Sequence, residues 1–479
     1  METPNATKAI LNWMCATRFE DIHPDVRQLA VFALYDGIGA ILACSMLPVA
    51  HRMVDFVNLV GGPPDCTMIG FPARTSVLNA ALLNGTLGYG DEMDAHDGDG
   101  RGNHILAANM GAALTIGQLV GAPGQEVLRG VVMGYELSKR IVRVAAQVDR
   151  ETGIASGPVD AGSSIGATAA AGIVLGLPPD RLEVALGLAA HMSCSFFVDP
   201  SDADHMAASY SRGGGGARNG VTAALMAKAG YNAPLDILDG PRGFFHSRLG
   251  REDPGPEFLR GLGEEYGITD LIFKRHNAGG TTHVARMILL EIMSENNLSA
   301  GDIAEIRAEI RSGRSPARHA KIAETQAEVA SKSNNDTTIR ELLDDRSYYR
   351  RNMLALAAVY RTVGFREAYD EQYYQSSEVS AVRERVKFFT REDWAGNEDR
   401  FYAGVTVITQ DGRNLRKESA DRQMTEEELD AKFSHLVGLR AGDAKAKELA
   451  QVLKRLDTVS NVAEVMEQLE LPEAHIGQV

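Results

Sequence analysis

Hydrophobic positions in the first 269 residues recur with helical spacing. Apolar side chains repeat every three to four residues in segments separated by Gly, Pro and Asp, as in GGPPD and GLPPD. Several segments carry Ala and Gly on more than one face, which is typical of helices packed inside a bundle. We therefore predict a large helical domain, with helices over 23–44, 76–87, 105–120, 162–175, 181–192 and 217–229.

After Lys274 the pattern changes to short alternating runs. IAEIRAEIRS, VRERVKFF and FYAGVTVITQDGRNLRK are typical of strands, and the Asp-Gly pair in the last run predicts a turn between two of them. A helical pattern lies among these runs at about 337–363, and another extends from 425 to about 469. We predict a mainly α fold, in which residues 1–269 and 422–479 form a helical domain and residues 270–421 form an α+β lid.

Composition indicates a globular protein without a general affinity for polyanions. The 479 residues are 44% hydrophobic, which is enough to bury a large core. A net charge of −15 spread along the chain argues against nucleic acid or an anionic membrane as partner. We find no signal-peptide pattern in METPNATKAILNWM and no apolar run of about 18 residues, so a cytoplasmic location is expected. The widely spaced cysteines are expected to be reduced thiols: Cys15, Cys44, Cys66 and Cys194.

Titratable residues are concentrated in GYGDEMDAHDGDGRGNH, residues 88–104, between two predicted helices. A solvated acidic loop is one interpretation. Calcium is disfavoured because an EF-hand register starting at Asp97 places Arg101 at its fifth position and Ala108 at its twelfth. Zinc is also disfavoured, because the spacing between His96 and His104 matches no common pattern of zinc ligands. We therefore expect no metal.

Two further glycine-containing patterns can be interpreted either as functional motifs or as structural contacts. Residues 162–166 satisfy G-x-S-x-G, with Ser164 in the place of a hydrolase nucleophile, but that motif requires a preceding strand. A contact between helices through small residues is the other interpretation. The run Gly213–Gly216 lacks the Lys-Ser/Thr pair of a phosphate loop, so we expect it to allow close approach of a ligand or another backbone.

Several widely spaced segments together resemble the MmgE/PrpD family. LNGTLGYGDEMDAHDGDGRGNHILAANMGAAL is similar to a family segment that ends at a helix-opening His, with Asp94, Asp97 and His104 at matching offsets. FKRHNAGGTTH matches a second segment through Lys274 and His283. ARNGVTAALMAKAGY, DILDGPRGFF, DGRNLRK and LDAKFSHLVG are similar to further family segments, so the resemblance covers nearly the whole chain.

The resemblance implies both an architecture and a chemistry. The family includes 2-methylcitrate dehydratase, cis-aconitate decarboxylase and iminodisuccinate epimerase. It implies a homodimer and an active site in a cleft, where the catalytic residues Asp94 and His104 face the catalytic residues Lys274 and His283 of the lid. We expect His104 and His283 to serve the same proton-transfer step. Proton or carboxylate removal next to a carboxyl group builds negative charge, which needs a cation and a proton shuttle. We therefore predict a lyase or isomerase acting on a small carboxylate without metal or cofactor.

Departures from the family pattern affect part of its acid/base set. Gly157 falls where relatives carry His, and Ser209 falls where they carry Lys. The Tyr of the lid helix falls near Ala355, with Tyr348 and Tyr349 just upstream. Residues that could bind substrate or replace the missing groups are Asp97, Ser209, Tyr210, Arg212 and His276. The alternatives to an enzyme of the usual type are a catalytically altered member that binds a small ligand or partner and, through Ser164, a serine hydrolase.

Overall fold

The computed structural model describes residues 5–90, 92–98, 104–152, 160–193, 209–311, 346–361, 364–391, 394 and 401–476. The amino-terminal part is helical, and every helix predicted there begins and ends within two residues of the observed bounds. Its helices are α1 (Ala6–Ala16), α2 (Pro24–Cys44), α3 (Pro48–Val60), α4 (Val77–Gly88), α5 (Ile105–Val120), α6 (Gly124–Thr152), α7 (Asp160–Val174), α8 (Pro179–Met192), α9 (Gly215–Lys228) and α10 (Phe244–Leu249).

The region that follows combines helices with the largest sheet. Its helices are α11 (Gly280–Glu295), α12 (Arg346–Tyr360), α13 (Phe365–Tyr369), α14 (Glu371–Tyr374) and α15 (Ser377–Arg383). Helix α11 was not predicted from the sequence, and residues 337–345 of the predicted lid helix lie outside the described residues. The chain then ends in α16 (Glu426–Ala441), α17 (Asp443–Leu453) and α18 (Val462–Glu467). The predicted mainly α fold is confirmed.

The strands form one four-stranded sheet and two small pairs. They are β1 (Cys66–Thr67), β2 (Arg74–Thr75), β3 (His96–Asp97), β4 (Leu271–Ile272), β5 (Ile303–Arg311), β6 (Val386–Arg391), β7 (Tyr402–Thr409) and β8 (Asn414–Ala420). The large sheet has the order β6-β5-β7-β8, with β5 and β6 parallel and the other neighbours antiparallel. The predicted hairpin is β7–β8, and its turn contains Gly412 at φ +88°, a conformation that glycine adopts without strain. In VRERVKFF only the second half is strand, because the first half contains the end of α15.

Two hydrophobic cores lie on the two parts of the chain. One contains buried side chains from α1 through residue 273 together with those of α16, α17 and α18. The other contains α11, α12 and the inner face of the four-stranded sheet. Phe433 of α16 stacks on Tyr35 of α2 with ring centroids 4.0 Å apart. The carboxy-terminal helices therefore return to the first core, whereas the domain boundaries at 269/270 and 421/422 stay predictions.

Helix α2 is long and apolar enough to cross a membrane by length and composition alone, the one such helix among the described residues. The expectation that no segment reaches that length was wrong for this helix. Within the protein 78% of its apolar window is buried, which is the environment of a core helix. Asp36 lies in the middle of α2 and forms an ion pair with Lys432 of α16, with 2.6 Å between Asp36 Oδ1 and Lys432 Nζ.

Small residues allow several helices to touch backbone to backbone. A Cβ atom on Gly166 of α7 would lie 1.9 Å from the Oγ of Ser138, and one on Gly213 would lie 2.0 Å from the carbonyl oxygen of Gly85. Ser164 lies inside α7, and its carbonyl accepts from Thr168. The G-x-S-x-G pattern is thus a helix contact, and the serine-hydrolase interpretation is wrong because the motif needs a turn between a strand and a helix.

The ion pair between α2 and α16 predicts a difference between two lysine substitutions. Lys432→Met leaves Asp36 buried without its cation, so we expect a loss of about 3–5 kcal/mol in the free energy of unfolding. Lys454→Met removes pairs with Glu426 and Asp430 at the surface and should cost no more than about 1 kcal/mol. Urea unfolding measures both. Equal losses in the two variants would contradict this account of how the chain ends are joined.

Candidate active site

A two-residue strand pair connects the acidic loop to the region after residue 270. β3 and β4 are antiparallel, with His96 opposite Ile272 and Asp97 opposite Leu271. The backbone N–H of Gly98 adds a 2.7 Å hydrogen bond to the carbonyl oxygen of Asp270. This pairing places residues 92–98 beside Lys274. From the sequence we predicted only an inter-helix loop here, since two-residue strands leave no alternating pattern.

A buried lysine of α6 forms ion pairs with residues of this strand pair and of the turn before it. Lys139 is 1% exposed, and its Nζ lies 2.6 Å from Oδ1 of Asp97 and 3.1 Å from Oδ2 of Asp270. Arg143, one helical turn further on, approaches the same Asp270 oxygen at 3.3 Å. Asp97 was predicted to bind substrate, but in the structure its carboxylate is bound by Lys139. Its observed contact stabilises the position of the loop.

Asp94 and His104 form a buried hydrogen-bonded pair. His104 directly precedes α5, and its Nδ1 lies 2.8 Å from Oδ2 of Asp94. An ionised carboxylate can only accept, so Nδ1 carries the proton and Nε2 keeps its lone pair. Burial lowers the pKa of His104; Asp94 opposes this shift and Lys274 adds to it. The arrangement holds a neutral imidazole in one tautomer, as a general base requires.

Lys274 follows β4 and inserts a fully buried ammonium group between two carboxylates. Its Nζ lies 2.6 Å from Oε2 of Glu92 and 3.6 Å from Oδ1 of Asp94, and it also donates to the backbone carbonyl of Glu92 at 3.2 Å. Oε2 of Glu92 is in turn 3.9 Å from Nε2 of His104. The structure therefore brings together three of the predicted catalytic residues: Asp94, His104 and Lys274.

Glu92 is a member of this cluster that the sequence analysis did not single out. Its Oε1 accepts a 2.6 Å hydrogen bond from the hydroxyl of Tyr89, which directly follows α4 as its C-cap. Its backbone has φ +71°, a left-handed conformation that costs a residue with a Cβ about 1–2 kcal/mol. Such strain at a buried charged residue marks a conformation fixed by its side-chain contacts.

Arg212 reaches the same cluster from an irregular helical turn. Residues Tyr210–Gly214 form a π-helical turn immediately before α9, a local geometry that is frequent at functional sites. The Arg212 guanidinium donates to the Tyr89 hydroxyl at 3.1 Å and lies 5.6 Å from the centre of its ring. Arg212, a predicted replacement for missing family groups, is thus linked to Glu92 through Tyr89.

His283 lies in a second buried cluster built around Asp421. Its Nε2 accepts a 2.9 Å hydrogen bond from the backbone N–H of Arg275, so its proton is on Nδ1, which is 3.5 Å from Oδ1 of Asp421. The other Asp421 oxygen lies 2.9 Å from Nε2 of His96. Both ring nitrogens of His283 therefore face groups of the protein. This geometry favours a positioning role over the predicted proton transfer.

The contact between Asp421 and His283 lowers the pKa of Asp421 and raises that of His283, and burial opposes both effects. Burial raises the pKa of Asp421, but hydrogen bonds and charge from His283 and His96 outweigh it and hold that pKa well below its usual range. Burial lowers the pKa of His283 to about 4, although Asp421 opposes the shift. Asp421 was not predicted as a site residue, because nothing in SADRQM distinguishes it from a surface turn.

The remaining predicted residues have different surroundings. Ser209 is buried at the start of the π-helical turn, whereas Tyr210 is 53% exposed. His276 is partly buried, with its ring 5.5 Å from that of His283. Ala355 is buried in the second core. Gly157 and the side chains of Tyr348 and Tyr349 lie outside the described part of the structure.

Cations already engage the carboxylates that a metal would need. Within the described ranges, no group of three or more His, Cys, Asp or Glu side chains is arranged to hold a metal ion. Lys139 binds Asp97 and Lys274 binds Glu92. The free cysteines in the described residues are Cys15, Cys44 and Cys66, whereas Cys194 lies outside them.

Comparison with known proteins gives matches along much of the chain. The family model of the MmgE/PrpD N-terminal domain matches residues 8–257, and that of the MmgE/PrpD C-terminal domain matches residues 350–458. Cis-aconitate decarboxylase of Aspergillus terreus is 25% identical over 297 residues, which are 58% of this chain and 58% of that protein. Cis-aconitate decarboxylase-like protein oryM of Aspergillus oryzae is 28% identical over 306 residues, or 58% and 60% of the two chains. The matched region thus spans about three fifths of these relatives.

The lowered pKa of His283 predicts acid sensitivity. Between the ordinary pKa of 6.5 and the folded-state value of about 4, the unfolded chain binds a proton that the folded protein does not. The free energy of unfolding should therefore fall as pH drops through this window, by on the order of 3 kcal/mol from His283. Urea unfolding at several pH values measures the slope. His283→Asn should have a shallower slope, and an unchanged slope would contradict the assignment.

Proposed function

The chain belongs to the MmgE/PrpD family, and from that premise we propose that it is a lyase or isomerase acting on a small carboxylate. The reaction is a proton transfer or a decarboxylation at a carbon next to a carboxyl group. The observation that carries this proposal is the buried Asp94–His104 pair beside the ammonium group of Lys274. It combines an oriented base with a cation, which are the two groups that enolate chemistry needs.

His104 is the proposed proton shuttle. Asp94 fixes the proton on Nδ1, so the Nε2 lone pair is the atom that removes a proton from the substrate carbon. The lowered pKa keeps the imidazole neutral, and therefore basic, at neutral pH. After proton removal Asp94 stabilises the imidazolium, which then returns the proton to the intermediate or to a leaving hydroxyl group.

Lys274 is proposed to stabilise the negative charge that develops on the substrate. Deprotonation next to a carboxylate moves electron density onto the carboxylate oxygens, and a buried ammonium interacts with that charge more strongly than a solvated one. In a decarboxylation the electrons of the broken carbon–carbon bond take the same path as carbon dioxide leaves. That carbon then needs one proton from solvent, which His104 takes up at Nε2 and passes on. The same two groups therefore serve dehydration, epimerisation or decarboxylation.

His283 has a supporting part in this proposal. Its contacts with Asp421 and the Arg275 backbone fix the segment that carries Lys274. Asp421 also contacts His96 of β3, so one carboxylate connects both walls of the site. We propose that His283 and Asp421 position Lys274 rather than transfer protons themselves.

Small di- and tricarboxylates related to cis-aconitate are the proposed substrates, because two relatives are named for cis-aconitate decarboxylase. The departures at Gly157 and Ser209 support a substrate different from theirs. A catalytically altered member that binds a small carboxylate is the second candidate, favoured by the engagement of Lys274 with two carboxylates of the protein itself. The homodimer, the cytoplasmic location and the exclusion of nucleic acid and membrane stay predictions.

Substitution of the pair tests the proposed chemistry. With a substrate found by a proton NMR screen in deuterated water, His104→Ala should lower kcat by about 10²–10⁴, the usual loss for a missing general base. Asp94→Asn should also lower kcat, because an amide can stabilise the wrong tautomer. His246→Ala removes an exposed imidazole of α10 and serves as the control. A folded His104→Ala protein with the kcat of the wild type would refute the role of His104.

Chelation tests the proposal that no metal takes part. Because Lys139 and Lys274 already neutralise Asp97 and Glu92, prolonged treatment with EDTA should leave kcat and KM unchanged. The control is addition of magnesium, zinc or manganese to the treated protein, which should restore nothing. Activity that disappears on chelation and returns with one divalent ion would overturn this part of the proposal.

A further inference from the structure

We propose that the carboxylate of Glu92 occupies the subsite for a substrate carboxylate and leaves it when the substrate binds. The subsite consists of the Lys274 ammonium and the Tyr89 hydroxyl, with Arg212 behind Tyr89. This inference rests on the proposed function. It adds that Glu92 competes with the substrate carboxylate for the subsite, and that the Tyr89 hydroxyl selects for a carboxylate.

The contacts of Glu92 are those of a bound ligand carboxylate. One oxygen accepts from Tyr89 at 2.6 Å, and the other accepts from Lys274 at 2.6 Å. Charge-assisted hydrogen bonds to both oxygens are the usual way in which proteins fix a carboxylate. Oε2 lies 3.9 Å from Nε2 of His104, so a substrate carboxylate in this place brings its neighbouring carbon close to the proposed base.

Arg212 fixes Tyr89 as a donor. The Tyr89 oxygen accepts from the Arg212 guanidinium, and the hydroxyl proton is therefore directed to Glu92. Burial, with Glu92 as the next cause, raises the pKa of Tyr89 well above its usual value. The hydroxyl thus stays protonated and offers one hydrogen bond to whichever carboxylate occupies the subsite.

Repulsion between carboxylates favours departure of Glu92 when a substrate binds. Lys274 already lies between Glu92 and Asp94, at 2.6 Å and 3.6 Å. A third carboxylate beside Glu92 and Asp94 would be repelled by both, and repulsion between like charges is strong in a buried site. Substrate therefore binds by exchange, taking the contacts that Glu92 releases.

The backbone of Glu92 is suited to such an exchange. Its φ of +71° is disfavoured for a residue with a Cβ, and Gly90 two residues earlier has φ +59°. The contacts to Lys274 and Tyr89 keep Glu92 in this conformation. When a substrate takes those contacts over, rotation at Glu92 to an ordinary backbone conformation relieves the strain.

Titration calorimetry with succinate as probe tests the exchange. Glu92→Gln removes the competing charge and keeps the side-chain shape, so it should bind succinate at least about tenfold more tightly than the wild type. Glu448→Gln removes an exposed charge of α17 and should bind as the wild type does. Adding Lys274→Met to Glu92→Gln should abolish the gain. No gain in Glu92→Gln, or a gain that persists without Lys274, would overturn the proposal.

A crystal structure of the wild type grown in saturating succinate provides a readout that needs no substitution. A succinate carboxylate should lie on Lys274 and Tyr89, with Glu92 displaced from both, whereas a retained Glu92–Lys274 contact would overturn the exchange. Neither experiment depends on turnover. If Glu92 exchanges with succinate but the protein converts no carboxylate, the subsite stands and the proposed lyase or isomerase activity is refuted. If the protein converts a carboxylate but Glu92 does not exchange, the activity stands and the subsite is refuted.

Discussion

The ammonium group of Lys274 is completely buried, and its charge has to be neutralised inside the protein. Glu92 and Asp94 supply the compensating charges, which requires the loop to lie against the segment that follows β4. Lys274 also lowers the pKa values of His96, His104 and His283, although burial is the larger cause for each. Removal of this one cation would leave two adjacent buried carboxylates, so the geometry of the whole site depends on it.

The proposed reaction divides its requirements between the two walls of the site. The loop before α5 supplies the base and the residue that orients it, and the segment after β4 supplies the cation. Lys139 and Asp421 lie outside the reacting groups, but each binds residues of both walls and keeps them in register. Because the Lys139–Asp97 ion pair and the hydrogen bond between Asp421 and His96 are both buried, loss of one partner would be costly, and the walls are held at a defined distance.

Six helices of the amino-terminal part, the mainly α fold and the family were predictable from the sequence, since each depends on patterns that extend over many residues. Helix α11 was not predicted. The sequence also indicated Asp94, His104 and Lys274, which the structure brings together. Glu92 was missed because this residue resembles the other acids of its loop, and its partner Lys274 is 182 positions away. The strand pair β3–β4 is too short to show periodicity, and the engagement of both His283 nitrogens depends on backbone geometry that no spacing reveals.

The central claim is that Asp94 and burial hold His104 neutral, with its proton on Nδ1. Long-range proton–nitrogen correlation NMR on protein labelled with nitrogen-15 histidine reports the tautomer and charge of each imidazole. A His104→Gln sample assigns the signal. We expect a single Nδ1–H tautomer that stays neutral to below pH 6.5, the ordinary histidine pKa. A proton on Nε2, or an imidazolium at pH 6.5 or above, would contradict the account.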